Sequence, residues 1–258
     1  MQKATMQKIE QRITHQRGCL WRFAQQAWIV DSIGALFWPK QGLLIFSDLH
    51  FEKGSYLAQH GNPIPTLDTR QTLVLMQQLI DIYCPDMVVC LGDSFHDRRA
   101  FQRLNTDDQD TLFELMQAVP RWVWVVGNHD PEFPDNFPGE VVTTLLLDQV
   151  IFSHEPISDD DMQPEQFAII GHFHPKMQIT RKRQTLRGKC FVHDERIMIM
   201  PSLGVYTGGL DITDEAFLDV LNSDKQPWSC VMCMQDKAYV VNTPSAGSPQ
   251  SRRGGAST

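Results

Sequence analysis

Apolar residues along this chain gather into short runs, and most runs stop abruptly at a polar group. The runs at 27–30, 35–38, 43–46, 87–91, 122–126, 150–153 and 167–170 are four or five residues long. Runs this short, rich in Val, Ile, Trp and Phe, read as buried strands rather than helices. Between them the period lengthens. From about residue 68, Leu73, Met76, Ile80 and Tyr83 recur on one helical face, with Asp68 and Gln71 at capping-box spacing. A second helix is predicted from Thr106, with Gln109 three residues on, burying Leu112, Met116 and Val119. Residues 178 to about 241 read mostly as further strands and turns, with one short helix near 214–221. Strand–helix alternation early and strands late predict an α+β fold of two packed sheets flanked by helices.

The ends differ from the middle. Residues 1–17 read as a peripheral or frayed helix, and 243–258 carry no large apolar side chain and read as a disordered tail. That leaves 18–242 as one domain. No apolar run approaches the ~18–20 residues a membrane span needs, and the N-terminus is too polar for a signal peptide. The expectation is a soluble, cytoplasmic protein without a membrane partner. The net charge of -8 excludes a wholly basic nucleic-acid coat while leaving room for a local basic groove. The six cysteines read as small thiols in a reducing compartment, and Cys230-x-x-Cys233 lacks a second pair to complete a zinc site.

Five runs end in residues that bind metals. Asp48 and His50 follow the first, Asp93 the second, Asn128 and His129 the third, His154 the fourth, and His172 and His174 the fifth. In an extended segment, residues i and i+2 point the same way, so Asp48 with His50, and His172 with His174, are each expected to present two ligands to one spot. Carboxylate, imidazole and amide donors suit Mn, Fe or Zn. One carboxylate can bridge two such ions, and the pair would polarise a phosphoryl group and generate hydroxide near neutral pH. No activated Ser or Cys competes for the role of nucleophile.

Asp48-Leu-His50, Gly92-Asp93, Gly127-Asn128-His129-Asp130, His154 and Gly171-His172-Phe173-His174 together resemble the signature of the calcineurin-like metallophosphoesterase superfamily. The resemblance implies an αββα sandwich and a binuclear metal centre, with Mn first among the candidate ions. It assigns Asp48, His50, Asp93 and His174 to one metal, and Asp93, Asn128, His154 and His172 to the other, with Asp93 bridging. Further stretches, Ser47 to Gly54, Gly61 to Pro65, Ser153 to Pro156 and Met200 to Gly209, resemble the bacterial ligase-associated DNA-damage-response members. That narrower likeness implies Mn-dependent phosphodiester cleavage, including endonuclease action on single-stranded DNA, and association with a DNA ligase and a helicase.

One local feature separates nuclease from phosphatase. Phosphoprotein phosphatases of the superfamily carry Gly-Asp-x-x-Asp-Arg-Gly, whereas this chain has His96 at the second Asp position, as Mre- and SbcD-type repair nucleases do. His96 and His129 are therefore expected to flank the scissile phosphate, His129 stabilising the charge on phosphorus and His96 assisting the leaving oxygen. Asp97 and Asp130 are both candidates to orient His129. Arg98, Arg99 and Arg103, and a basic run of Arg181, Lys182, Arg183, Arg187 and Lys189, are candidate phosphate contacts. Phe51, Phe95 and Phe173 are candidate stacking partners for bases. Two alternatives stand beside the nuclease: a phosphodiesterase or pyrophosphohydrolase for a small nucleotide or nucleotide-lipid, and a metal-free protein-binding scaffold.

Overall fold

The predicted runs become the inner strands of two sheets in the computed structural model, which describes residues 3–62, 64–130, 133, 137–181, 184–221 and 228–241. The chain begins with α1 (Lys3–Thr14), β1 (Gly18–Phe23), β2 (Gln26–Asp31), β3 (Leu36–Trp38) and β4 (Leu43–Ser47). There follow α2 (Lys53–Gln59), α3 (Asp68–Tyr83), β5 (Met87–Leu91), α4 (Ala100–Arg103), α5 (Thr106–Gln117), β6 (Arg121–Val125) and β7 (Glu140–Val142). The second half holds β8 (Thr144–Leu147), β9 (Val150–Ser153), β10 (Phe167–Ile170), β11 (Lys176–Arg181), β12 (Gln184–His193) and β13 (Ile197–Ile199). It closes with α6 (Glu215–Val220), β14 (Ser229–Met234) and β15 (Lys237–Val241). The predicted tail at 243–258 lies outside the described residues.

The first sheet runs β1 to β7 in sequence order, antiparallel as far as β4 and parallel from β4 through β7. The second has the order β15-β14-β12-β13-β10-β9-β8, with β11 paired to β12 and with β9, β10 and β13 parallel. Alternation along each strand explains why the runs are apolar throughout. In β4, Leu44 and Phe46 face the helices while Leu43 and Ile45 face the other sheet. Three apolar layers result. One lies between the first sheet and α3 and α5, one between the sheets, and one between the second sheet and α6. Each fully buried Leu, Val or Phe contributes about 1.5–3 kcal/mol.

Several local expectations change. Gly18–Phe23 and Lys53–Gln59 are a strand and a helix that no periodicity announced. α1 is tied to the domain, because Ile9 joins the helix-side core and Arg12 pairs with Asp31 at 2.6 Å. Neither predicted capping box forms as expected. Asp68 is the first helical residue, and its carboxylate accepts from Gly54 N at 2.8 Å instead of closing its own helix. In α5 the cap is Asn105, whose side chain accepts from Asp108 N, so the predicted box was off by one residue.

Candidate metal centre

Four parallel strands, β4, β5, β9 and β10, aim their carboxyl ends at one region, and the turn after β6 joins them there. Ligands in sheets of this kind gather beyond those ends. The ligand residues leave the strands in an unusual backbone conformation. Asp48, His50, Asp93, His172 and His174 all have positive φ, between 44° and 70°. Non-glycine residues adopt this left-handed region at a cost, and such strain collects at functional sites. This overturns the extended i, i+2 geometry expected for the two histidine-containing pairs. In the second pair the rings diverge, His172 towards His154 and His174 towards His50.

The divergence sorts the donors into two sets. In the first, His174 Nε2 lies 3.0 Å from Asp48 Oδ1 and 3.3 Å from His50 Nε2, and His50 Nε2 lies 3.8 Å from Asp93 Oδ2. In the second, His154 Nε2 is 3.1 Å from Asn128 Oδ1, 3.2 Å from His172 Nδ1 and 3.4 Å from Asp93 Oδ1. Asp93 thus turns one oxygen to each set. Asp48 also stands between them, since its Oδ1 is 3.7 Å from His154 Nδ1. Ligand atoms of Asp48, His50 and His174 all lie within 4.8 Å of one another, as do those of Asp48, Asp93 and His154.

Two glycines make room for this convergence. A Cβ on Gly92 would come within 2.0 Å of the His154 ring, and one on Gly171 within 2.7 Å of Asp48 Oδ2. The glycine before each ligand therefore admits a ligand from another strand.

The electrostatics fit divalent cations. Burial alone would raise Asp93, but hydrogen bonding and charge from His154, with the His129 N–H, hold it at about 2. Burial also works to raise Asp48, and His174 and His154 outweigh it to keep that carboxyl below its ordinary value. Burial lowers His50 to about 3, against the pull of Asp48, so its ring is neutral and free to coordinate. His154 Nδ1 is buried with no hydrogen-bond partner. Four imidazoles and two carboxylates packed around two points, with the Asn128 amide beside them, fit a pair of Mn, Fe or Zn ions. The cysteines take no part. Cys90, Cys190, Cys230 and Cys233 are buried thiols within strands.

His96 and His129 stand together at the edge of this centre, their rings stacked with centroids 5.9 Å apart. Neither candidate aspartate touches the His129 ring. Asp97 is an ion-pair partner of Arg103 and accepts from Arg99 N. Asp130 is buried and accepts from Phe95 N at 2.9 Å and Gly127 N at 2.8 Å. It therefore fastens the loop bearing Asp93 and His96 to the loop bearing Asn128 and His129. Burial, opposed by those two N–H groups, raises its carboxyl to about 7.

The outer candidates divide. Arg98 and Arg99 are exposed, while Arg103 is held by Asp97, Ser55 and the Glu52 carbonyl. Arg183 and the side chain of Arg181 lie outside the described residues. Lys189 leaves the basic run, giving its ammonium to Ser202 O at 3.3 Å. Phe51 and Phe95 are buried at 1% and 0% exposure and pack edge-to-face on each other, so they cannot stack on a base. Phe173 packs on Phe217. Their apolar bodies support the ligand loops from beneath. Sequence reasoning overlooked Ser47, whose buried hydroxyl donates to Asp48 Oδ2 at 2.5 Å and whose only signal was its place directly before that carboxylate.

Among solved structures, the chain is similar to a Pseudomonas putida nuclease MPE, at 22% identity and TM-score 0.66, covering 87% of this chain and 100% of that one. It also matches Yfce, a phosphoesterase from E. coli, at 16% identity and TM-score 0.35 over 75% of this chain and 88% of that one. No curated protein matches significantly. Among the described residues no helix is long and apolar enough to cross a membrane. The sequence pattern of the calcineurin-like phosphoesterases matches residues 43–227, a span that includes every strand-end ligand described above. By that match and by its two-sheet sandwich, the chain belongs to the calcineurin-like phosphoesterase family and is a metal-dependent phosphoric ester hydrolase.

Proposed function

We propose that this protein is an Mn-dependent phosphodiesterase that cuts single-stranded DNA internally, acting in repair alongside a ligase and a helicase. The observation that carries the reading is the His96–His129 pair at the mouth of the metal centre. Two stacked imidazoles there suit the stabilisation of a leaving oxygen and of the charge on a pentavalent phosphorus. The fold shared with the Pseudomonas putida nuclease supports the same reading.

Asp48, His50, Asp93 and His174 would hold one ion, and Asp93, Asn128, His154 and His172 the other. When bound, such ions polarise the phosphoryl group and activate water. The chain's own groups then set proton positions. His50 offers Nε2 to the first set, so its proton resides on Nδ1, 3.4 Å from His96 Nδ1. His96 accepts there, and its own proton is left on Nε2, free to donate to the leaving oxygen. Burial, with Lys53 and His129 nearby, lowers His96 to about 4, so its ring is neutral at pH 7 and its Nε2–H gives the leaving oxygen a hydrogen bond, while the proton that oxygen finally takes up comes from water. The His129 backbone is fixed by its N–H to Asp93 Oδ1 at 2.9 Å, which registers the ring against the bridging carboxylate.

The test is circular single-stranded DNA, which has no ends, incubated with metal-stripped protein after Mn is restored. Nicking that requires Mn and disappears in Asp93→Ala is the expected result. Intact circles, with a small phosphodiester still hydrolysed, would overturn DNA as the substrate.

A further inference from the structure

We propose that Tyr56 and His60, two rings stacked on α2, form a platform for the nucleobase attached to the leaving oxygen, so that the site prefers a nucleoside there to a smaller group. The proposal rests on the phosphodiester reading above and on the place it gives His96. It adds what the site holds beyond the phosphate.

Four rings stand in a row beside the metal centre. His129 and His96 are stacked with centroids 5.9 Å apart, His96 meets Tyr56 edge-to-face at 4.9 Å, and Tyr56 stacks on His60 at 4.2 Å. His96 also meets the ligand His50, ring to ring, at 5.4 Å. His60 is tied down by its Nδ1, which donates to Tyr56 O at 2.8 Å. Arg103 holds the middle of the row together. Its Nη1 donates at 3.0 Å to Asp97 Oδ1, directly after His96, and its Nε donates at 3.0 Å to Ser55 Oγ, directly before Tyr56. The two backbones also meet, because His96 N donates to Phe51 O at 3.0 Å. α2 is anchored in turn to α3, with Gly54 N donating to Asp68 Oδ2 at 2.8 Å and Thr69 Oγ1 to Glu52 Oε1 at 2.9 Å. This scaffold fixes where the Tyr56 ring stands relative to His96.

Core packing does not account for the pair. Tyr56 belongs to none of the three apolar layers, and its ring neighbours among the described residues are the two imidazoles. Tyr56 is half-buried and His60 is exposed. An aromatic pair left open beside a phosphodiester site offers a surface that tolerates any sequence, because every base has a π-face. The chemistry gives its position. A base hangs one sugar away from the oxygen that leaves phosphorus. Tyr56 stands one ring beyond the imidazole that serves that oxygen. The sugar then passes His96, and the base reaches the pair.

The test pairs removal of a base with removal of a ring. A single-stranded oligonucleotide carries one abasic tetrahydrofuran site, and cuts by the Mn-loaded protein are mapped linkage by linkage. Wild type is expected to cut the linkage whose leaving oxygen belongs to the abasic sugar about tenfold less than its neighbours, the scale of one stacked base. Tyr56→Ala and His60→Ala are expected to cut all linkages alike, and Tyr56→Phe to keep the wild-type dip. His60→Ala, which changes an exposed side chain, carries the test if Tyr56→Ala does not fold. Uniform cutting by wild type would overturn the platform. So would a uniform loss of turnover in Tyr56→Ala with the dip intact, which would leave Tyr56 only to hold the His96 ring. If wild type cuts no DNA, the substrate reading falls and the platform is judged on a small diester. Thymidine 5′-phosphate should then inhibit hydrolysis of bis(p-nitrophenyl) phosphate about tenfold more strongly than deoxyribose 5-phosphate in wild type, and no more strongly in Tyr56→Ala. Equal inhibition in wild type would overturn the platform there too.

Discussion

Two buried carboxylate centres in this molecule obey opposite rules. Asp31, fully buried, accepts from Arg12 Nη2 at 2.7 Å, Tyr83 Oη at 2.7 Å and Ile33 N at 2.9 Å. A formal cation and two neutral donors answer its charge, and it lashes α1 and the end of α3 to the first sheet. Asp48 and Asp93, 0% and 3% exposed, also take backbone and hydroxyl donors, from Ser47, His172 and His129. Their remaining neighbours, however, are imidazoles that keep lone pairs, and the backbone beneath them is strained. A carboxylate whose partners satisfy it holds a fold together. Carboxylates crowded together among imidazoles, with no Arg or Lys paired to them among the described residues, suit a cation.

The contrast can be broken at either end. The largest effect is expected from Asp93→Asn, which should lower hydrolysis by about 10³-fold or more and cut the metal bound per chain, measured by elemental analysis. The metal-free variant should unfold no more easily than metal-free wild type. A marked loss of stability would make Asp93 a structural residue like Asp31. Next comes Asp31→Ala, expected to cost about 3–5 kcal/mol in urea unfolding because Arg12 is left buried and unpaired. Its metal content should be unchanged, and a cost below about 1 kcal/mol would erase the distinction.

A smaller effect tests the edge of the centre. His96→Ala should reduce turnover about 10²–10³-fold while both ions still bind, and wild-type turnover would remove His96 from the chemistry. The smallest concerns pH. An unfolded histidine takes its proton near 6.5, and folded His96 takes it near 4. Between those values the unfolded chain binds the extra proton, so this group's stabilising share is present above 6.5 and is lost as pH falls towards 4. From pH 7.5 to 5.5 metal-free wild type should lose about 1 kcal/mol more than His96→Gln. Asp130 acts in the other direction. Its folded pKa is raised to about 7, so acidification from 7 towards 4 relieves the protein, equally in both variants. Identical pH slopes would show that His96 is not buried enough to matter.

Much of the site was legible because strand ends leave marks in one dimension. An apolar run followed by Asp, Asn or His needs no knowledge of distant residues, and the seven candidate ligands that the structure brings together were all read that way. Phe51 and Phe95 were misread because adjacency to a ligand in sequence says nothing about which side of the loop a ring occupies. β1 escaped notice because Leu20, 61% exposed on the outward face beside Arg22, puts an apolar side chain where alternation calls for a polar one.

The sequence by itself determined the buried inner strands, the helices with an apolar face and the candidate metal-binding side chains, since periodicity and residue chemistry are local properties. Only the tertiary structure decided how those side chains divide between two sets, because His50 and His174, 124 positions apart, meet across the two sheets. It also decided that Asp130 clasps two backbones rather than a ring. Those are consequences of which surfaces packing brings within a few ångströms, and no local pattern along the chain encodes that distance.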